Sequence, residues 1–334
     1  MPKSHDVVEL TIRLMEIDST SGREGPVIDW LENHLAGADW TVRRIPVTDG
    51  RDDLLATSGD GPRVTLSTHL DTVPPFIPPR LEGDRLWGRG ACDAKGIAAA
   101  MILAAERIRA QGQAVALLFV VGEEVSHDGA EAANKVANTS TALINGEPTE
   151  STLAIGTKGA MRFYLRTRGQ AAHSAYPQLG RSAISDLVRL LAEMETLQLP
   201  SDPMLGDTTI NIGMIGGGIA DNVMAPQAEA KLMARLVTAP EAFEKLLRDW
   251  VRDRAELEIG ITVPAVRLGT LPGFKTSVAA FATDIPKLGN WGTPYLFGPG
   301  SIHVAHKDEE HVSISELRAA VDAYVRLAVQ ARHS

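Results

Sequence analysis

Three short runs in the first half of the chain read as buried strands: AVALLFVV (114–121) and STALING (140–146), which carry apolar residues on both alternate positions, and RVTLST (63–68). A strand with one face in water alternates polar and apolar residues. Runs without that alternation belong to strands covered on both faces. Helical spacing fills the intervals. HDVVELTIRLMEI and GPVIDWLENHLAG are amphipathic, the second with Gly37 as its stop, and AKGIAAAMILAAERIRAQG is an alanine-rich helix closed by Gly112. Buried strands alternating with helices define an α/β fold with a mixed, mostly parallel sheet. WTVRRIPV and DDLLATSG add two short strands.

The pattern changes near Thr157. From there the chain reads as strand (AMRFYLRTRG), helix (SAISDLVRLLAEMETL), strand (TTINIGMIGG), strand (AEAKLMARLV), helix (PEAFEKLLRDWVRDRAE) and strand (ELEIGITVPAV). These strands alternate, as half-exposed antiparallel strands do. The order βαββαβ is that of a small ferredoxin-like α+β sandwich. After LGTLPGF a strand (TPYLFG) and a final helix from Ile314 to Ala331 return to the first pattern. The expected organisation is an α/β domain of residues 1–157 and 269–334, interrupted by an inserted α+β domain of residues 158–268.

At 334 residues, two domains are the ordinary expectation. A net charge of −9 without a basic run argues against nucleic acid or an anionic membrane as partner. No apolar run has the length of a membrane span, and the start MPKSHDVVEL is not that of a signal peptide. The single cysteine, Cys92, permits no internal disulfide. The expected location is the cytoplasm.

Histidines and carboxylates stand where the apolar runs stop. RVTLST ends in His69 and, two residues on, Asp71, which share a face. Asp93 lies in GRGACDAKG before the alanine-rich helix, Glu123 and Glu124 follow AVALLFVV, and Glu147 follows STALING. GPGSIHVAHKDEEH brings His303, His306 and His311. Strand ends at the carboxyl edge of a parallel sheet are where α/β proteins keep their sites. Carboxylates converging there repel one another unless a cation compensates them. The mixed donor set suits a divalent metal, zinc first, with cobalt or manganese possible, and a carboxylate can bridge two ions. Side chains of adjacent Glu123 and Glu124 diverge, so one can ligate while the other stays free as a base.

STHLDTVP, GRGACDAKG, GEEVSHDGA, INGEP, GQAAHSAYP and FGPGSIHVAHKDEE, in this order along nearly the whole chain, resemble the zinc amidohydrolase and exopeptidase family of acetylornithine deacetylase, succinyl-diaminopimelate desuccinylase, aminoacylase and carboxypeptidase G. The resemblance implies two divalent metal ions held by His69, Asp93, Glu124, Glu147 and His306, with Asp93 as the bridge. It makes Asp71 the residue that orients His69, and Glu123 the general base. It favours His306 over His303 as the closing ligand. His173, in the inserted domain, matches a histidine that stabilises the oxyanion in a partner subunit's site, which implies a homodimer formed through that lid and dimerisation domain. Asn222 and Arg235 resemble substrate-grasping residues, and Gly298 and Gly300 of FGPG a backbone-presenting loop. A solvated strand residue is the other reading of Arg235, and a plain turn that of FGPG.

The resulting expectation is a di-metal hydrolase that cleaves the amide of an N-acyl amino acid, of the N-acetylornithine, N-acetyl-lysine or N-acetylcitrulline type. A dipeptidase, carboxypeptidase or succinyl-diaminopimelate desuccinylase of the same family is the alternative. A metal-binding pseudoenzyme is the alternative of another class. An NAD-type oxidoreductase lacks its glycine fingerprint here. His5, His34, His127, His311 and His333 read as surface or capping residues, His127 being nearest the acidic set in sequence. Cys92 reads as a small packed residue, without a partnered base to make it a nucleophile.

Overall fold

The computed structural model describes residues 6–333; His5 lies outside them. In chain order the elements that matter for the site are α1 (Val7–Met15), α2 (Gly25–Ala36), β1 (Thr41–Thr48), β2 (Arg51–Ser58), β3 (Val64–His69), α3 (Lys95–Ala110), β4 (Val115–Val120), α4 (Asp128–Ala133), β5 (Ala142–Asn145) and β6 (Leu153–Thr157). Then follow β7 (Gly159–Arg168), α5 (Ala183–Met194), β8 (Thr209–Gly217), β9 (Gln227–Leu236), α6 (Pro240–Val251), β10 (Glu256–Val263), β11 (Thr293–Leu296) and α7 (Ile314–Ala331).

The chain divides into two compact units. Unit 1 comprises Met1–Ile155, Leu268–Ser277 and Thr283–Ser334; unit 2 comprises Gly156–Arg267 and Val278–Ala282. The short return of 278–282 to unit 2 was not legible in the sequence. It follows from pairing, since the Lys158 amide donates to the Ala279 carbonyl at 2.9 Å.

The sheet of unit 1 runs in the order β1-β2-β4-β3-β5-β11-β6. β3 is parallel to both β4 and β5, and β11 is parallel to β5, while β1, β2 and β6 join antiparallel. Every residue of β3, β4 and β5 is buried. The reason shows in β4, where successive side chains enter different cores. Leu117 and Phe119 pack in the cluster containing Leu14, Ile97, Met101, Leu317 and Tyr324. Leu118 and Val120 pack with Ala130, Leu143 and Trp291 on the other side. The alanines of α3 let that helix bury almost its whole length between α1, α7 and the sheet. Its Tyr324 neighbour on α7 donates its hydroxyl to the Phe297 carbonyl at 2.8 Å, fixing the end of β11.

Unit 2 holds a four-stranded antiparallel sheet, β8-β9-β7-β10. Phe163, Leu165, Ala230 and Leu232 face α5 and α6, meeting Leu187, Leu191, Phe243 and Leu247. Arg162, Tyr164, Arg166, Glu229, Lys231 and Arg235 fall on the opposite parity, which no helix of the unit covers. No helix among the described residues is long and apolar enough to cross a membrane.

Candidate metal centre

Parallel pairing of β4, β3 and β5 puts their carboxyl ends side by side, and a polar residue of the site closes or soon follows each. His69 closes β3. Its Nε2 lies 3.0 Å from Asp93 Oδ1 and 4.0 Å from Glu147 Oε2. His306, from the loop between β11 and α7, places its Nε2 at 3.2 Å from Asp93 Oδ2 and 3.0 Å from Glu124 Oε1. Asp93 therefore turns one oxygen to each imidazole. His69, Asp93 and Glu147 are all but completely buried.

Asp71 does more than face His69. The His69 Nδ1 sits 3.0 Å from the Asp71 backbone carbonyl and 3.5 Å from its carboxylate. The carboxylate oxygens accept the amides of Glu123 (3.1 Å) and Glu124 (3.2 Å) and the Ser21 hydroxyl (2.8 Å). One buried carboxylate thus ties the end of β3 to the turn after β4.

The loop around Asp93 is held in the same way. Glu310 Oε1 accepts the amides of Cys92 and Asp93 at 3.3 and 3.2 Å, and its Oε2 pairs with Arg89 at 2.8 Å. Arg89 also donates to the Lys307 carbonyl at 3.1 Å. This wholly buried ion pair joins the loops that carry Asp93 and His306. Neither partner was singled out from the sequence, because the two lie 221 residues apart.

Charge in the cluster is lopsided. Burial, with Glu147 close by, pushes the Glu123 carboxyl well above the ordinary range. Burial does the same to Glu147, against the pull of His69, and raises Glu124. Burial alone would lower His69, yet the Asp71 and Asp93 carboxylates outweigh it and leave it well above its usual value. Asp93 and Glu124 raise His306 to about 10. The two imidazoles, against the effect of burial, hold Asp93 low. The pocket therefore draws positive charge to the two imidazole nitrogens. Two imidazoles and three carboxylates are the nitrogen and oxygen donors that borderline divalent cations take, so the residues fit metal ions.

His303 is exposed, and among the described residues its imidazole pairs with none of these carboxylates. Gly298 and Gly300 are buried and engaged. The Gly298 amide donates to Thr149 Oγ1 at 2.9 Å, and the Gly298 and Gly300 carbonyls accept the amides of Ser151 and Glu150. A Cβ at Gly298 would come within 2.4 Å of the Glu147 carbonyl, and Gly300, at φ +82°, packs against Cys92. Cys92 is buried and burial pushes its thiol up, as suits a packed residue.

His173, Asn222 and Arg235 belong to unit 2. His173 is exposed; its Nδ1 accepts the Ala175 amide at 3.1 Å, and its backbone bridges to Val223 beside Asn222. Arg235 is half-buried on β9, with no carboxylate paired to it among the described residues.

One histidine read as a surface or capping residue stands at the N-cap position of α4, but its imidazole makes no cap hydrogen bond and turns to carboxylates instead. His127 is largely buried, takes a left-handed backbone (φ +58°), and its Nδ1 lies 2.8 Å from Asp284 Oδ1 and 3.9 Å from Glu123 Oε1. Asp284 stood in no motif. His34 stacks on Trp30 and His311 against Trp87, while His333 is exposed.

An α/β sheet whose strand ends gather two imidazoles, an aspartate shared between them and a glutamate that pairs with neither defines a metal-dependent hydrolase. The sequence profile of the peptidase family M20/M25/M40 matches residues 65–330, and the chain belongs to that family. It is 38% identical over 342 residues to a peptidase M20 domain-containing protein of Schizosaccharomyces pombe, covering 98% of this chain and 86% of that one. It is 37% identical over 370 residues to a probable carboxypeptidase of Aspergillus fumigatus, covering 94% and 84%. A tripeptidase structure from Staphylococcus aureus superimposes with a TM-score of 0.83 at 19% identity, covering 99% of both chains. The protein is an M20 metallohydrolase.

Proposed function

We propose that the protein is a carboxypeptidase, hydrolysing the amide that precedes the C-terminal residue of a small peptide. The observation that carries the chemistry is the Glu123 carboxyl. It is buried beside the two-imidazole cluster, and no hydrogen-bond donor claims it among the described residues. The relatives named probable carboxypeptidases favour a peptide over the N-acyl amino acid expected first from the sequence. Arg235, half-buried and without an acidic partner, offers its guanidinium fork to a substrate carboxylate.

His69, Asp93 and Glu147 would hold one cation, and His306, Asp93 and Glu124 a second, with zinc the first expectation. Cations bound there supply Lewis acidity, polarising the amide carbonyl and acidifying water. Glu123 takes the proton of the attacking water and delivers it to the leaving nitrogen. Asp71, by fixing the amides of residues 123 and 124, keeps the base and its ligating neighbour apart in direction. His173 takes the role of oxyanion donor to a partner subunit's site, as the family resemblance implies. A homodimer through unit 2 accords with β8, an edge strand that exposes Met214 and Ile215. The one cysteine, buried and unpaired, accords with a cytoplasmic enzyme.

The test is hydrolysis of a panel of di- and tripeptides with free C-termini and of N-acetyl amino acids, beside Glu123→Gln. The substitution should lower kcat by about 10²–10⁴-fold with bound metal unchanged. Undiminished turnover in Glu123→Gln removes the base assignment. Activity on N-acetyl amino acids but not on peptides selects the deacylase reading, which shares every site residue.

A further inference from the structure

Glu123 belongs to a second group of side chains able to ligate a metal, with His127 and Asp284. The turn after β4 folds back because the amides of Ser126 and His127 both donate to the Gly122 carbonyl at 2.9 Å. His127 completes that turn in the left-handed region, which histidine tolerates better than most side chains. Its imidazole is thereby carried back alongside Glu123, four residues earlier. Asp284, buried and from the distant segment before β11, meets the same nitrogen. One ligand atom each of Glu123, His127 and Asp284 lies within 4.8 Å of the others.

The separations resemble those of the first cluster. His127 Nδ1 stands 2.8 Å from Asp284 Oδ1 and 3.9 Å from Glu123 Oε1; His69 Nε2 stands 3.0 Å from Asp93 Oδ1 and 4.0 Å from Glu147 Oε2. An imidazole and two carboxylates, two from one turn and one from a distant segment, are a donor set of the kind zinc takes.

We propose that Glu123, His127 and Asp284 form an additional, weaker divalent-cation site whose occupation inhibits the enzyme. The inhibitory part rests on the reading of Glu123 as the base. A carboxylate engaged by a cation cannot accept the water's proton, so excess zinc switches off the residue the reaction needs.

The experiment measures bound zinc by equilibrium dialysis, and peptide hydrolysis across the same zinc series, in the full chain and in His127→Asn and Asp284→Asn. Asparagine also tolerates the left-handed backbone, so the turn is kept. Wild type should bind one equivalent more than either variant, or bind it at least about tenfold more tightly. Its activity should fall as that equivalent binds, while both variants hold their plateau. Equal stoichiometry and affinity in all three proteins overturn the site. Loss of activity in His127→Asn before excess zinc is added also overturns the proposal, since His127 would then serve Glu123 directly. If no substrate turns over at any zinc level, the base reading fails, and the dialysis alone decides the site.

Discussion

Unit 1 and unit 2 use charge in opposite ways. In unit 1 the central strands β3, β4 and β5 are buried along their whole length, and charges in the loops beyond them are buried too: Arg89 and Glu310 form an ion pair at 2% and 0% side-chain exposure. In unit 2 the sheet is covered on one face only, and the charges of the open face stay in water. Arg166 pairs there with Glu229 at 2.5 Å and with Glu258, and Arg168 with Glu256 at 3.4 Å. The local geometry of these pairs is similar. What differs is the solvent each side chain has given up. Desolvation makes a buried charge costly to strand and an exposed one nearly free to lose.

The sharpest way to break this contrast is to remove one member of the buried pair. Arg89→Ala leaves Glu310 buried without its cation, and should destabilise unit 1 by about 3–5 kcal/mol in denaturant unfolding. It should also weaken metal binding, because Glu310 positions the Asp93 amide. A loss near zero would mean that water reaches Glu310. In unit 2 the exposed apolar edge is the counterpart. If the proposed dimer forms through this edge, Ile215→Lys on β8 should leave only monomer at micromolar concentration by light scattering where the wild type is dimeric. An unchanged mass would place the dimer contact elsewhere.

A smaller effect concerns Asp53, buried on β2. Its Oδ1 accepts the Val121 amide at 3.0 Å, its Oδ2 has no partner, and burial raises its carboxyl to about 8. The folded chain keeps this proton to about 8, whereas the unfolded chain releases it near 3.8. Stability from this group is thus full below the lower value and declines as pH rises between the two. Asp53→Asn should therefore gain stability over wild type as pH goes from 5 to 8. Parallel curves for the two proteins would show that Asp53 is ionised in the fold. Smallest of all, Arg166→Ala should leave the unfolding midpoint unmoved, in contrast to Arg89→Ala; a clear loss would show that the open face of unit 2 is covered in the working assembly.

The sequence by itself determined the layers. Apolar runs without alternation became β4 and β5, buried on both faces, and the alternating second half became a sheet covered on one; β3 is buried as fully although Thr65 and Ser67 alternate with Val64 and Leu66. The final helix spans Ile314–Ala331, as its spacing requires, and α2 stops before Gly37. Periodicity encodes burial because each residue's face is fixed by its neighbours in the chain. The ligand-type residues at the strand ends were legible for the same reason: a polar residue where an apolar run stops has to face something.

Only the tertiary structure decided which polar groups meet. Asp71 sits two residues from His69, yet its carboxylate serves the amides of Glu123 and Glu124. His127 meets Asp284 across 157 residues, and Arg89 meets Glu310 across 221. No local pattern marks such pairs. They arise where segments entering and leaving the parallel strands converge, and burial there forces each polar group to find a partner from whichever segment the sheet order brings near.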